Sequence, residues 1–346
     1  MTTRRKFLTT ASIGSAAALA APSVVKAQAP IKWRMQTYSG APLGAHVIQP
    51  QIESFNKAAN GEMEIELFYA DQLVPTGEMF RALQNGTIDA VQSDDATMAS
   101  PVDIADFGGY FPFSSRYSLD LPVLFHRYGL NEIWQEAYDE VEGVEWLGAG
   151  AWDPLHVYTV DKPIRTMNDM AGLRVFGVPT AGRFMAQYGL IPVTVPFEDV
   201  EVALQTGELD GIAWSGFTEM YEIGWADVCK YALSNNITGA WCGSYFANSD
   251  SWAKVPPHLK ELFKLSMDSS HYYRQHWYWG GEAQLRANGG KMEQTTIPPE
   301  EWEQVVNDAE KFWDQLASRS DRAARVVKIF RDYKALMETV GVPYRY

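Results

Sequence analysis

Residues 81–91 read RALQNGTIDAV and residues 202–212 read VALQTGELDGI, so one pattern occurs twice in the chain. In each copy an amphipathic helix leads to a glycine, Gly86 or Gly207, which can adopt the left-handed conformation that ends many helices. A short apolar strand follows at once, at 88–92 and at 209–214. A strand this short, entered from a helix, is typical of a mostly parallel sheet covered by helices.

The spacing of the two copies predicts the domain organisation. They lie 121 residues apart, which is far too long for a solenoid repeat and indicates two α/β lobes of similar construction. Alternating apolar residues predict further strands at 31–38, 63–69 and 173–176. From Pro299 onwards, apolar residues recur at three- and four-residue steps, which predicts amphipathic helices that pack on the lobes.

The first 27 residues have the layout of an export signal. Arg4, Arg5 and Lys6 form a charged start, an uncharged small-residue stretch follows, and Val25-Lys26-Ala27 offers small residues for cleavage. The paired arginines resemble the twin-arginine type. The stretch is too short and too rich in Ala, Ser and Gly to span a bilayer. We therefore predict cleavage near Ala27 and a periplasmic protein, with a retained anchor as the alternative.

Charge narrows the classes of partner. The chain carries a net charge of −14, and loss of the signal removes four basic residues and no acid, which leaves −18. A protein with this negative charge is expected to bind neither nucleic acid nor an anionic membrane surface. The net charge says little about a small solute, because a cleft can differ in sign from the whole surface.

Cys229 and Cys242 are the only cysteines. In an oxidising compartment they could pair, and the alternative is two buried free thiols. A twin-arginine substrate usually folds in the reducing cytoplasm before export, which disfavours an essential disulfide.

The sequence lacks the common catalytic motifs. It has no His-Glu-x-x-His, no paired Cys-x-x-Cys, no phosphate loop and no Gly-x-Ser-x-Gly. Scattered histidines predict no zinc or copper site, whereas a calcium or sodium ion that shares the ligand stays open. The rival class is an exported hydrolase or lyase that uses Asp94, Asp95 and Glu219. The adjacent Asp94 and Asp95 equally fit a strand end or a capping turn, so we predict a protein that is no enzyme and needs no cofactor.

Several stretches resemble the solute-binding subunits of tripartite ATP-independent periplasmic (TRAP) transporters, the DctP-like group. They are residues 69–75 (YADQLVP), 83–89 (LQNGTID), 191–196 (IPVTVP) and 202–211 (VALQTGELDG). The resemblance runs from about Ile31 to the end. It implies a type II-like periplasmic-binding-protein fold, with two α/β lobes, a hinge, a small organic solute trapped between the lobes, and delivery to a membrane permease.

On this plan, lobe 1 takes residues 28–150 and part of the C-terminal region, lobe 2 takes 151–250, and 251–346 form helices that pack across both lobes. Ligands of open α/β sheets bind beyond the carboxyl ends of the strands, and two facing lobes enclose such a site when a hinge closes. Strand ends then name the candidate ligand-binding residues, which include Gln36, and Asn236 could join them from a following turn.

The first ligand hypothesis is a small organic acid, a monocarboxylate of the 2-oxo or hydroxy acid type. Many relatives bind a carboxylate with the arginine of a Gly-x-Lys-x-Arg strand, but residues 172–176 read GLRVF here. Phe176 thus takes the place of that arginine. Arg174 shares its strand face and could bind a carboxylate in a bidentate manner, although it also fits a surface arginine. Arg183, near a helix start, is the second candidate.

The second hypothesis is an amine or a zwitterion held in an aromatic box. Tyr38, Trp152, Phe176 and Trp214 could surround a cation, because aromatic faces attract positive charge. Asp94 and Asp95 could complement it. The alternative reading is ordinary packing of aromatic side chains between the lobes.

Residues 271–279 (HYYRQHWYW) form the densest aromatic run. A helix of this composition is apolar nearly all round, which predicts burial between the lobes. We predict a monomer and leave a dimer contact through this run open.

Overall fold

The computed structural model describes residues 29–287 and 290–340, so the predicted signal at 1–27 lies outside the described residues. The strands are β1 Ile31–Thr37, β2 Met63–Phe68, β3 Ala90–Ser93, β4 Val144–Ala151, β5 His156–Thr159, β6 Arg174–Gly177, β7 Ile191–Val193, β8 Gly211–Trp214, β9 Tyr231–Leu233, β10 Cys242–Asn248 and β11 Glu293–Thr295. The helices are α1 Ala41–Val47, α2 Gln49–Ala58, α3 Met79–Gln84, α4 Asp120–Arg127, α5 Leu130–Asp139, α6 Pro179–Ala186, α7 Val200–Thr206, α8 Phe217–Glu222, α9 Ser249–Ala253, α10 Pro257–Ala287, α11 Pro299–Ala317 and α12 Asp321–Val340.

These elements form two α/β lobes, each around its own sheet. The first sheet has the strand order β2-β1-β3-β10-β4 and the second has the order β11-β9-β5-β8-β6-β7. In the first sheet β3 runs parallel to β1 and antiparallel to β10. In the second, β8 runs parallel to β6 and antiparallel to β5. The strands of the sequence repeat therefore hold equivalent places in the two lobes.

The helix–glycine–strand pattern predicted for both repeats is confirmed. Helix α3 is followed by Gly86 at φ +74°, and α7 by Gly207 at φ +75°, both in the left-handed region. The paired strands begin two residues later than predicted, at Ala90 and Gly211. Ile88 and Leu209 are instead buried just before the ladder, where they pack into the core of each lobe.

The chain crosses between the lobes near the middle of the molecule. Segments 152–155 and 234–241 run side by side there, with backbone hydrogen bonds from Leu155 N to Thr238 O (3.0 Å) and from Trp152 N to Trp241 O (3.0 Å). The second segment returns the chain to the first sheet through β10, although residues 242–248 fall in the range 151–250 that was expected to form lobe 2. Strand β10 therefore belongs to the first lobe and not, as had been expected, to the second. The sequence of a strand does not show which sheet it joins after the chain crosses between the lobes.

Long helices complete the structure across both lobes. Helix α10 packs against α2 and β4 of the first lobe and against α8 of the second. Helices α11 and α12 bury the stripes that their spacing predicted, which include Val305, Ala309, Trp313, Val326 and Phe330. Within residues 29–287 and 290–340, no helix has both the length and the apolar character that crossing a membrane requires.

The aromatic run 271–279 lies on α10, and its predicted burial between the lobes is wrong in part. Arg274 and Tyr278 are buried, but Tyr272 and Trp279 are 74% and 58% exposed. The run places polar and aromatic residues on both faces of the helix, and only the face toward the lobes is covered.

We expect Gly211→Ala to destabilise the second lobe. A Cβ at this position would lie 2.2 Å from the carbonyl oxygen of Tyr158 on β5, so the β5–β8 ladder must separate. The expected loss is about 1–3 kcal/mol in the free energy of unfolding, measured by chemical denaturation. Gly77→Ala is the matched control, since a Cβ there meets no atom within 4 Å. Equal stability of the two variants would contradict this account of the ladder.

Candidate functional site

Aromatic side chains from the two lobes meet where the strand ends face each other. Tyr38 follows β1 in the first lobe, and Trp214 ends β8 in the second, with ring centroids 6.3 Å apart. Phe176 of β6 stacks on Trp214 at 5.7 Å. Trp241, from the crossing segment, lies 4.5 Å from Tyr38. A cavity of about 370 Å³ opens beside this cluster and is lined by both lobes.

The second lobe contributes most of the wall. Phe197 and Trp225 pack against each other at 5.1 Å, and each lies 5.7 Å from Trp214. Gly40 of the first lobe meets this wall, since a Cβ there would lie 2.4 Å from the ring of Phe197. The absence of a side chain at Gly40 therefore lets the two lobes approach closely at the cleft.

Three buried carboxyl groups lie around this cluster: Asp94, Asp153 and Glu219, each 1–2% exposed. All accept hydrogen bonds from neutral donors only. Asp94 accepts from Trp241 Nε1 (3.2 Å) and from the backbone N–H of Thr97 (2.8 Å). Within the described part of the chain, none of the three lies within 4.0 Å of a Lys, Arg or His nitrogen.

The partners of the other two carboxyls come from the second lobe and from α10. Glu219 accepts from Trp214 Nε1 (2.9 Å) and from the hydroxyl of Tyr278. Asp153 accepts from the backbone N–H of Gly216 (2.8 Å) and from the hydroxyl of Ser215. These bonds orient the carboxyl groups but supply no charge to balance them.

Burial controls the protonation of the site. It raises the pKa of Glu219 to about 7. It also raises the pKa of Asp153 well above its ordinary range, with added repulsion from Glu219 and Glu282. The pKa of Asp94 is raised by burial as well. The pKa of the Tyr38 hydroxyl is raised by burial and by the same acids. The carboxyl groups of the site thus keep their protons to a higher pH than carboxyl groups in water do.

Gly216 shows how tightly the acidic groups are packed. A Cβ at this residue would lie 2.4 Å from Oε1 of Glu282 and 2.6 Å from Oδ2 of Asp153. Only glycine lets the backbone pass between these carboxyls and still donate its N–H to Asp153.

Arg174, the expected carboxylate anchor, lies away from this cluster. It begins β6, whereas Phe176 lies near the carboxyl end, two residue steps or about 6.6 Å further along the strand. Its guanidinium donates to Asp210 Oδ2 (2.9 Å) and to the carbonyl of Gly207 (2.7 Å), and its side chain is 42% exposed. The hydrogen bonds lower the pKa of the Asp210 carboxyl. Arg174 thus joins β6 to the turn after α7.

Arg183 is likewise engaged outside the cluster. It lies on α6 with its side chain half exposed and forms an ion pair with Asp106, which also binds Arg319. The structure therefore brings neither predicted arginine to the buried carboxyls.

Three more predicted residues have other partners. Gln36 is buried, accepts from the N–H groups of Leu73 and Val74, and donates to Val74 O (2.8 Å). Asp95 points to α5, where it accepts from the hydroxyl of Tyr138 (2.6 Å), and burial raises its pKa to about 7. Asn236 lines a second cavity of about 350 Å³, which Asp153 and Tyr278 also line.

Of the predicted residues, Tyr38, Asp94, Trp152, Phe176 and Trp214 do converge. Trp152 lies 4.7 Å from Trp241 in an edge-on arrangement.

Sequence reasoning missed Glu219, Trp241 and Tyr278 as ligand-binding candidates. Asp153 and Ser215 follow Trp152 and Trp214 at predicted strand ends, so those two positions carried a signal. Glu219 was considered only as a catalytic group. No local sequence pattern indicated Trp241 or Tyr278, because these residues come from the crossing segment and from α10 and not from a predicted strand end.

The described residues offer no obvious resident metal site. No group of three or more His, Cys, Asp or Glu side chains within 29–287 and 290–340 is arranged to hold a metal ion. Cys229 and Cys242 are buried free thiols, and burial raises the pKa of Cys229 to about 12.

Two α/β lobes that enclose a small polar site at their strand ends define a solute-binding protein. Residues 43–320 match the family model of the bacterial extracellular solute-binding protein, family 7 (DctP). The chain belongs to this family, whose members serve solute transport and are not enzymes.

Known relatives bind different solutes. The chain is similar to a TRAP periplasmic solute binding protein of Chromohalobacter salexigens solved with (S)-(+)-2-amino-1-propanol, at 59% identity and a TM-score of 0.89, over 91% of this chain and 99% of that one. It is 23% identical to a monocarboxylate 2-oxoacid-binding periplasmic protein of Nostoc, over 97% of this chain and 94% of that protein. A Pseudoalteromonas atlantica structure with bound sodium and pyruvate shares the fold, at 17% identity and a TM-score of 0.77, over 90% and 97% of the two chains.

The empty protein should be less stable at pH 8 than at pH 5. Glu219 has a pKa of about 7 in the folded protein, against about 4.3 in an unfolded chain. Between these values the folded state keeps a proton that the unfolded state releases. The stability from this group is complete below the unfolded pKa and is lost as pH rises through 7.

Glu219→Gln removes this titration, so the variant should lose less stability between pH 5 and pH 8. Each unit of pKa difference corresponds to about 1.4 kcal/mol. Denaturant unfolding at several pH values measures the effect, and the exposed Glu303→Gln serves as the control. An identical pH profile for Glu219→Gln and the parent would contradict the assignment.

Proposed function

We propose that this protein binds a small organic cation, a protonated amine or amino alcohol, between its lobes and delivers it to a TRAP membrane permease. The observation that carries the proposal is the group of three buried carboxyls, Asp94, Asp153 and Glu219. They have neutral hydrogen-bond donors and no basic partner among residues 29–287 and 290–340. A buried charge is stable when it is paired, and a cationic solute supplies the missing partner.

An organic acid fits this site poorly. It would add a further negative charge to the acidic cluster, and Phe176 occupies the position of the arginine that binds carboxylates in many relatives. Arg174 and Arg183 are bound to Asp210 and Asp106. The amino alcohol in the 59% identical Chromohalobacter protein supports the cation as the solute class.

The aromatic rings suit the rest of such a solute. The faces of Tyr38, Trp214 and Phe176 can pack on a short aliphatic chain, and an aromatic face attracts an ammonium group by about 0.5–2 kcal/mol. Glu219 and Asp153 then accept its N–H groups, and charge-assisted hydrogen bonds of this kind contribute about 1.5–3 kcal/mol each. The enclosure by Phe197 and Trp225 favours a solute of few heavy atoms.

A decisive comparison uses three variants and one amine, with 2-amino-1-propanol as the probe. Asp153→Asn and Trp214→Ala should each weaken binding at least tenfold, because they remove a charge partner and an aromatic face. Arg174→Ala, the matched control at the surface of the same lobe, should bind within about twofold of the parent. Isothermal titration measures all four proteins. If Arg174→Ala bound most weakly of the three variants and 2-oxo acids bound better than the amine, the solute would be an organic acid and the proposal would be wrong.

Binding should release protons and strengthen as pH rises from 5.5 to 8. The empty site keeps protons on carboxyls whose pKa is raised by burial, and a bound cation lowers those pKa values. Titration in two buffers of different ionisation enthalpy measures the number of protons released at pH 6.5. Glu219→Gln should release fewer. No proton release, together with an affinity that does not change with pH, would mean that the solute does not contact these carboxyls.

We also propose that the protein works in the periplasm, exported by the twin-arginine signal at 1–27. Arg4→Lys with Arg5→Lys should leave the precursor in the cytoplasm, as seen by fractionation and immunoblotting. Unchanged periplasmic yield would indicate the general secretory route.

A further inference from the structure

We propose that the first lobe contains a second, separate binding site for a small monovalent anion of the chloride class, built on Arg274. This residue lies on α10, packs on Trp152 and is 1% exposed. The site is independent of the solute, and its test uses protein without solute.

Arg274 is a buried cation with no anionic partner among the residues that the structure describes. Its guanidinium stacks on Trp152, with 3.9 Å from Cζ to the ring centroid, and Nη1 donates to the hydroxyl of Ser270. Nε and Nη2 have no hydrogen-bond partner in the described part of the chain. No carboxylate oxygen of the described residues lies within 4.0 Å of it. An arginine keeps its charge at physiological pH, so burial without a counter-ion is strongly unfavourable.

Three further polar side chains lie near Arg274, and two of them have a buried N–H group without an acceptor among the described residues. The hydroxyl of Tyr245 donates to Gln51 Oε1 and adjoins Arg274 and Ser270. Gln92 lies opposite Tyr245 in the β3–β10 ladder. The Nε2 atoms of Gln51 and Gln92 are buried and lack an acceptor among the described residues. Rotation of either amide exchanges its oxygen and nitrogen, yet the guanidinium still lacks an anion.

Two glycines keep the space beside the guanidinium free of side chains. Gly150 of β4 and Gly243 of β10 are paired in register. A Cβ at Gly150 would lie 3.0 Å from Nη2 of Arg274 and 2.9 Å from Trp152. A Cβ at Gly243 would lie 2.8 Å from Trp152. Side chains at these positions would fill the region that the unpartnered donors border.

The chemistry of these donors selects a small ion with a single charge. One guanidinium and neutral N–H groups balance one negative charge, and a second charge would add to the acids of the neighbouring cleft. The carboxylate of a solute is the other source of one negative charge. We assign the site to a free ion because Trp152 packs on Arg274 and also on Trp241 of the aromatic cluster, and so separates the guanidinium from that cluster.

The first test is crystallography of the solute-free protein in bromide. An anomalous peak within hydrogen-bonding distance of Nε and Nη2 of Arg274 is expected. A well-ordered water at that point, with no anomalous signal, would overturn the proposal. Two further crystals, one with bound 2-amino-1-propanol and one with the amino acid alanine, distinguish a free anion from the carboxylate of a solute. A carboxylate of alanine at Arg274 would show that the solute, and not a free ion, occupies the site.

The second test is thermal unfolding at a constant ionic strength of about 0.15 M, with chloride exchanged for gluconate. The wild type should melt about 2 °C or more higher in chloride, because the ion binds the folded state only. Arg274→Met should lose this difference. Lys264→Met removes a positive charge from the exposed side of the same helix and should keep it. A wild type that melts at the same temperature in both salts would overturn the proposal even if Arg274→Met fails to fold.

Discussion

The structure depends on the burial of acidic groups at the place where the strand ends of the two lobes meet. Asp153 and Glu219 lie within packed aromatic rings, where a carboxylate loses its hydration, so burial raises their pKa values. Hydrogen bonds from Trp214, Tyr278 and Ser215 satisfy the oxygens without neutralising them. The empty cleft therefore holds its protons on buried carboxyl groups, and the proposed cation would replace them. This constraint couples lobe packing to protonation in one region.

The hinge holds the acidic site in place. Asp153 belongs to one crossing segment and Trp241 to the other, and the backbones of these segments are hydrogen-bonded to each other. Tyr38 of the first lobe lies against Trp214 of the second. Gly40 and Gly216 have no side chains where the chain passes closest to the opposite wall and to the carboxyls. Small residues at such points let a binding protein enclose a solute of few atoms.

The resemblance to the family places Phe176 where many relatives carry a carboxylate-binding arginine. Here Phe176 stacks on Trp214. Arg174, two residues earlier at the start of β6, does not reach the aromatic cluster because its guanidinium is bound to Asp210.

Local patterns in the sequence determined the lobes and their elements. The two repeats required helix–glycine–strand units, and Gly86 and Gly207 take the left-handed conformation that the pattern predicts. The apolar stripes of α11 and α12 were readable because helix periodicity depends on neighbours in sequence. The strand ends named Tyr38, Asp94, Trp152, Phe176 and Trp214 correctly as neighbours. Only the tertiary structure decided the charge of the site, since Asp153, Glu219, Trp241 and Tyr278 come from four separate segments. Electrostatic balance depends on distances through space, and the ion pair that removes Arg174 from the cleft forms with Asp210, 36 residues later in the chain.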